Sequence, residues 1–182
     1  MKAQWFAKIP LKKLERRIFL KTKNNKLLCL TKAAIVAALY VAVTLLLAPI
    51  SYGNMQIRLS EIFNNLAVFN KRYVWALTLG CAIANFFSPL GIVDVVFGSL
   101  ETFLMTGLSY LLSKRVKSIP VKLTITVIIC TLMTWMVALE LKYVDHLPFW
   151  PTYLAVAVGE FISMVIGAII FDILSKRIDL TK

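Results

Sequence analysis

Long apolar runs, broken by short polar stretches, fill the chain after its first thirty residues, and within each run the apolar positions are continuous. A helix needs about 20 such residues to cross a hydrocarbon core. A membrane barrel would instead alternate with a period of two. Six helices are predicted, at about 32–49, 59–70, 72–88, 92–112, 121–141 and 151–174. The first ends at Pro49. Pro151 fits the first turn of the sixth, where its missing N–H does no harm. The second has only about twelve residues and contains Asn64 and Asn65, too few to cross a ~30 Å core unaided. Either other helices shelter it or the adjoining 50–58 segment enters the membrane. Irregular backbone at depth is tolerated where protein buries it or where it lines a cavity. The stretch PISYGNMQ is therefore a candidate cap or wall for a site.

Composition supports a lipid-solvated, all-α integral membrane protein. Of 182 residues, 59% are apolar and 16% charged, against about 45–50% and 25% in soluble domains. That argues against a soluble enzyme and against disorder. Lys and Arg number 21 against 9 Asp and Glu, a net charge of +12. Ten of the basic residues fall in residues 1–32 with one acid, Glu15. Residues 1–30 are thus read as a basic amphipathic cytoplasmic segment lying on an anionic inner leaflet, and 31–182 as a six-helix membrane domain. Nucleic acid is the poorer partner for this block, because an apolar span follows it and it carries Trp5, Phe6 and Ile9. No signal-peptide pattern follows it.

Counting Lys and Arg at the helix ends sets the orientation. With the N-terminus inside, nineteen fall on the inner side, and Arg58 and Lys142 fall outside. Both termini are basic, so an even number of spans with N-in and C-in fits. Cys29, Cys81 and Cys130 are isolated and His146 is the lone histidine. No metal site, disulfide framework or cofactor is expected.

Small residues form stripes on three helices. Ala34, Ala38 and Ala42 recur every four residues on the first, Ala76, Gly80 and Ala84 on the third, and Gly159, Ser163 and Gly167 on the sixth. Such stripes let helix backbones approach closely in lipid. For the third and sixth helices internal packing is the better reading. On the first, a docking surface for another membrane protein is equally plausible, beside a basic approach.

Acids inside spans are costly and usually functional. Glu61, Asp94, Glu101, Glu140 and Glu160 all fall in the outer half or near the midplane of this topology. Asp94 and Glu101, seven apart, share one helix face. Tyr153 is seven before Glu160 on one face, and Asn85 is near the outer end of the third helix. Tyr52, Phe86, Phe87, Trp135, Phe149, Trp150 and Tyr153 congregate at the same level, some of them as an interfacial belt. Glu61 is placed either to pair with Arg58 at i, i+3 or to face the site. Arg58 and Lys142 cannot offset every outer acid. The surplus implies an outward-facing, acidic, aromatic-lined pocket whose guest is flat, hydrogen-bond-donating and cationic.

Other chemistry is missing. The chain has no G-x-x-x-x-G-K-[ST], G-x-S-x-G or H-E-x-x-H, so neither an ATP-phosphate loop nor those hydrolytic sites are present by those routes. No repeat supports an inverted-repeat transporter. No catalytic residue is assigned.

Three stretches together, YGNMQIRLSE, GCAIANFFSPLGIVDVVFGSLETF and VAVGEFISMVIGAII, resemble the QueT family. These are substrate-binding S components of energy-coupling-factor (ECF) transporters associated with queuosine precursors. The likeness runs from about residue 32 to 175, and the N-x-x-S-P-x-G-x-x-D-x-x-x-G pattern at Asn85–Gly98 is its most specific part. The alanine stripe on the first helix resembles the family's docking motif for the transmembrane T component. The resemblance implies an S-component fold of six helices that binds a 7-deazaguanine from outside. A T component and two cytoplasmic ATPases would drive release inward by toppling of the subunit. For such a base, Glu160 is the expected partner of the imino and amino edge. Asp94 or Glu101 would meet a side-chain amine, Asn85 the ring carbonyl, and Tyr52 or Trp135 would stack. Arg58, Glu61, Glu140 and Tyr153 complete the candidate set. The competing readings are an S component for another vitamin or nucleobase, a noncatalytic scaffold, and an ion-coupled carrier using the acids as a relay.

Overall fold

The computed structural model describes residues 11–52 and 58–181, with side chains from Leu27 onward. Residues 53–57 of the expected cap, and the first ten residues with Trp5, Phe6 and Ile9, lie outside the described residues. Two compact units divide the chain, Met1–Lys32 and Ala33–Lys182. All described elements are helical. They are α1 (Leu11–Leu46), the one-turn α2 (Ala48–Ser51), a 3-10 helix (Leu59–Val68), α3 (Lys71–Asn85), α4 (Ile92–Ser113), α5 (Ile119–Met133), α6 (Trp135–Val144) and α7 (Phe149–Ser175). Among the described residues, four segments are long and apolar enough to cross a membrane: Leu27–Leu46, Ile92–Ser113, Ile119–Val144 and Phe149–Ser175. The second and third helices expected from the sequence are a ten-residue 3-10 helix and the fifteen-residue α3.

The Ala33–Lys182 unit buries many polar groups beside its apolar core and exposes large apolar residues on its outside. Thr44, Ser60, Glu61, Asn64, Asn65, Asn85, Asp94 and Thr106 are buried, while Trp75, Leu79, Phe86, Phe87, Leu154, Ile162 and Ile169 are exposed. Water would reverse this arrangement; lipid permits it, because tails accept apolar surface and offer nothing to a polar group. The protein is a multi-pass membrane protein of the cell membrane.

The short second element gains length from its winding. A 3-10 helix rises ~2.0 Å per residue against ~1.5 Å for an α-helix, so ten residues cover roughly 20 Å. Runs of this length are uncommon, and here most of the element is buried. Side chains at i and i+3 eclipse in this winding. Glu61 and Asn64 therefore share an edge, and the Asn64 amide donates to Glu61. Asn65 donates to the Met164 carbonyl of α7 at 3.1 Å. A Cβ at Gly167 would strike the Ile62 carbonyl at 2.6 Å, so this glycine permits α7 to lie against the 3-10 helix.

Two other joints set the site. Asn70 caps α3 by accepting from Arg72 N at 3.1 Å. α5 and α6 break at Thr134, whose hydroxyl donates to the Thr131 carbonyl at 2.8 Å. The expected single helix at 121–141 is thus two helices in one apolar span. The stripes on α3 and α7 are buried, as internal packing requires. A Cβ at Gly80 would meet the Ala37 carbonyl of α1 at 3.1 Å. Ala34, Ala38 and Ala42 are exposed on the outside of α1, while Tyr40 and Thr44 are buried.

Candidate functional site

Four elements enclose a small cavity, and each contributes two residues about one helical turn apart. Arg58 and Glu61 come from the start of the 3-10 helix, Glu101 and Met105 from α4, Thr134 and Val137 from the α5–α6 break, and Val156 and Glu160 from α7. Spacings of three or four put each pair on one face. The cavity encloses about 20 Å³, room for one water-sized guest. Its walls combine carboxylates and a guanidinium with the apolar surfaces of Met105, Val137 and Val156.

Arg58 is buried and pairs with Asp94, with Nη2 at 3.0 Å from Oδ1 and 3.3 Å from Oδ2. Asp94 stands in the first turn of α4, where the helix dipole favours an anion. Tyr52 lies 6.0 Å from the Arg58 guanidinium and donates to the Ala84 carbonyl at 2.6 Å. The most family-like motif is built around this pair. Asn85 donates to the Asp94 carbonyl at 2.9 Å, tying the end of α3 to the start of α4. Gly91 turns the chain at φ 64, a region that glycine enters without strain. A Cβ at Gly98 would collide with the Asn85 amide and lie 3.3 Å from Asp94 Oδ1 and 3.5 Å from Arg58 Nη1. Asn85, Gly91, Asp94 and Gly98 thus form one joint that seats Arg58.

Glu61 accepts from the Tyr40 hydroxyl of α1 and from the Asn64 amide. A turn along α1, Thr44 donates to Ser60 at 2.7 Å. Glu101 and Glu160 differ from Glu61. Both are buried, and each has an Oε1 with no hydrogen-bond partner. Such oxygens are expensive in a dry interior and mark where a donor is wanted. Glu140, on α6, is also buried with an unpartnered Oε1. It lies outside the lining, with Asp94 and Arg58 among its charged neighbours.

The structure therefore brings together Arg58, Glu61, Glu101 and Glu160, with Asp94 behind Arg58 and Asn85 behind Asp94. Tyr52 flanks Arg58. It does not bring in Trp135 or Tyr153. Trp135 is exposed, and Tyr153 stacks on Phe149 at 6.0 Å beside the exposed Trp150. Both sit with apolar surface facing outward, as interfacial aromatics do, so the aromatic lining expected from the sequence is replaced by Met105, Val137 and Val156. Tyr40, Asn64 and Thr134 went unnoticed in the sequence. The eclipsed i, i+3 edge of a 3-10 helix would have exposed Asn64, but its winding has no clear sequence signal.

A larger space of about 460 Å³ lies between α5 and α7, lined by Leu123, Val127, Ile128, Phe161, Val165 and Ile169 among others. It offers a polar guest little to bond, and it opens beside apolar residues exposed to lipid.

An enclosed polar cavity within a lipid-facing helical shell suits a membrane protein that takes up a small polar guest, and likeness to known proteins places it in the transport class. Residues 30–176 match the profile of the QueT transporter family. A curated relative from Lactococcus lactis subsp. cremoris (strain MG1363), the "Queuosine precursor transporter QueT", is 41% identical over 169 residues, covering 88% of this chain and 99% of that protein. This chain belongs to the QueT transporter family. No solved structure matches it.

Proposed function

We propose that this chain captures a queuosine precursor, a 7-deazaguanine bearing a cationic amine, as the S component of an ECF importer. The observation that carries the reading is the pair of unpartnered buried carboxylate oxygens on Glu101 and Glu160, two residues that line one cavity together with apolar side chains. A deazaguanine presents an imino N–H and an exocyclic amine side by side, which a carboxylate accepts with two charge-assisted hydrogen bonds. Glu160 takes that edge, and Glu101 takes the side-chain amine. Met105, Val137 and Val156 cover the flat faces, and Glu61 is held ready by Tyr40 and Asn64.

The importer part of the reading has its own support. Nineteen Lys and Arg at one set of helix ends against two at the other favour six spans with both termini inside. In that arrangement the 3-10 helix and α3 are the two short spans. The chain carries no ATP-phosphate loop, which fits a subunit energised by two partner ATPases. The exposed edge of Ala34, Ala38 and Ala42 suits close docking of a T-component helix. Inward release follows by toppling of the subunit.

Uptake in cells lacking other queuosine-precursor carriers tests the proposal. Uptake should require the T component and both ATPases, and mass spectrometry should find a 7-deazaguanine on the purified subunit. Uptake that persists without the ATPases and collapses with the proton gradient would make the protein an ion-coupled carrier instead.

A further inference from the structure

Arg58 occupies an unusual position for a residue of a cation site. Among the described residues lining the cavity it is the one cation, facing Glu61, Glu101 and Glu160. Its bond to Asp94 is buried on both sides, with side-chain exposures of 7% and 1%. With Arg58 in this place the cavity encloses about 20 Å³, whereas small-molecule sites run to about 300–1,000 Å³. A bicyclic base does not fit this space as Arg58 and the other seven lining side chains hold it.

We infer that Arg58 is a resident stand-in for the substrate's positive charge, which a cationic guest displaces from the acids when it binds. The inference rests on the cavity being the substrate site. Its logic is charge balance. Buried carboxylates need a counter-charge or a proton. In the unliganded protein the guanidinium supplies it, bonded to Asp94 and set among the glutamates. A guest with an amine replaces one cation by another and keeps the balance. A neutral guest of the same shape must expel the arginine and leave the acids unmatched. Arg58 thereby lowers the affinity for cationic and neutral bases alike, because every guest has to break the Arg58–Asp94 pair first, while the acids it leaves behind set the preference for the cationic one. The joint of Asn85, Gly91, Asp94 and Gly98 holds the arginine where this competition takes place.

The consequence is counter-intuitive for a residue that touches a binding site. Arg58→Gln should lower the melting temperature of the unliganded protein, since breaking a buried pair strands its partner. The same variant should bind more tightly. For 7-aminomethyl-7-deazaguanine, calorimetry on the purified full-length protein should show an affinity at least about tenfold above wild type, because the guest no longer displaces a charge. The neutral 7-cyano analogue should gain by a similar factor. In the wild type the cationic base should bind better than the neutral one. Arg58→Lys keeps the charge but loses the planar fork, and its affinity should fall between wild type and Arg58→Gln. If Arg58→Gln does not fold, the order of Arg58→Lys and wild type decides. Weaker or unchanged binding by the folded variants would overturn the inference, and weaker binding would make Arg58 a direct contact. Failure of the wild type to bind either base would instead reject the substrate site itself.

Discussion

Two of the cavities among the described residues invert the usual relation between size and function. The space between α5 and α7 is about 460 Å³ and almost wholly apolar. The one between the 3-10 helix, α4, the α5–α6 break and α7 encloses about 20 Å³ and is walled by three glutamates and an arginine. In a soluble protein the larger apolar hollow would be the natural ligand site. In lipid it is ordinary surface, because acyl chains fill such a groove as readily as they cover Ile162 or Ile169. Of the two, the small cavity holds groups that lipid cannot satisfy, and its unpartnered oxygens make it the candidate binding site. In a bilayer, chemistry discriminates better than volume.

The largest effect should come from removing both unpartnered acids. Glu101→Gln with Glu160→Gln should abolish measurable binding of a cationic deazaguanine by calorimetry, since base edge and amine would both face donors. Retained binding by the double variant would move the site out of this cavity. Gly98→Ala should come next. Its methyl group would push against the Asn85 amide and crowd Asp94 and Arg58. Overpacking of this kind costs about 1–3 kcal/mol, so the melting temperature should fall along with the affinity. Normal stability would show that the joint tolerates a methyl group.

Replacing Ala38 with Leu tests the outside of α1 against its inside. Ala38 is exposed while Tyr40 and Thr44, two and six residues on, bond to the 3-10 helix. Copurification with the proposed T component should drop several-fold with binding to the isolated subunit unchanged. Loss of both would make the alanine edge internal packing. The smallest effect belongs to the larger cavity. Ile169→Ala widens it at a lipid-facing position and should leave affinity within error, with a stability change inside about 0.5 kcal/mol.

The sequence disclosed the chemistry of the site more fully than its geometry. Acids within apolar runs stand out because lipid penalises them, so Glu101 and Glu160 were identifiable before any packing was known. The buried stripes on α3 and α7 were readable from spacing alone. The pairing of Arg58 was not. Glu61 lies a turn away in sequence, but Asp94, thirty-six positions on, holds the guanidinium through a joint of two glycines and an asparagine. The aromatic residues misled for a related reason. Trp135 and Tyr153 lie at the depth of the site, yet depth does not fix which way a helix face points when both lipid and pocket accept a ring. The break at Thr134 carries no proline or glycine to announce it, and it is this break that brings Thr134 and Val137 to the cavity.

Calorimetric titration of Glu160→Gln beside wild type tests the central claim most directly. The substitution keeps the shape and exchanges an acceptor for a donor where the base edge is proposed to bind. Binding of 7-aminomethyl-7-deazaguanine should weaken by about 2 kcal/mol or more, roughly thirtyfold. Unchanged affinity would contradict the account, because the unpartnered Glu160 oxygen would then not be one that meets the substrate.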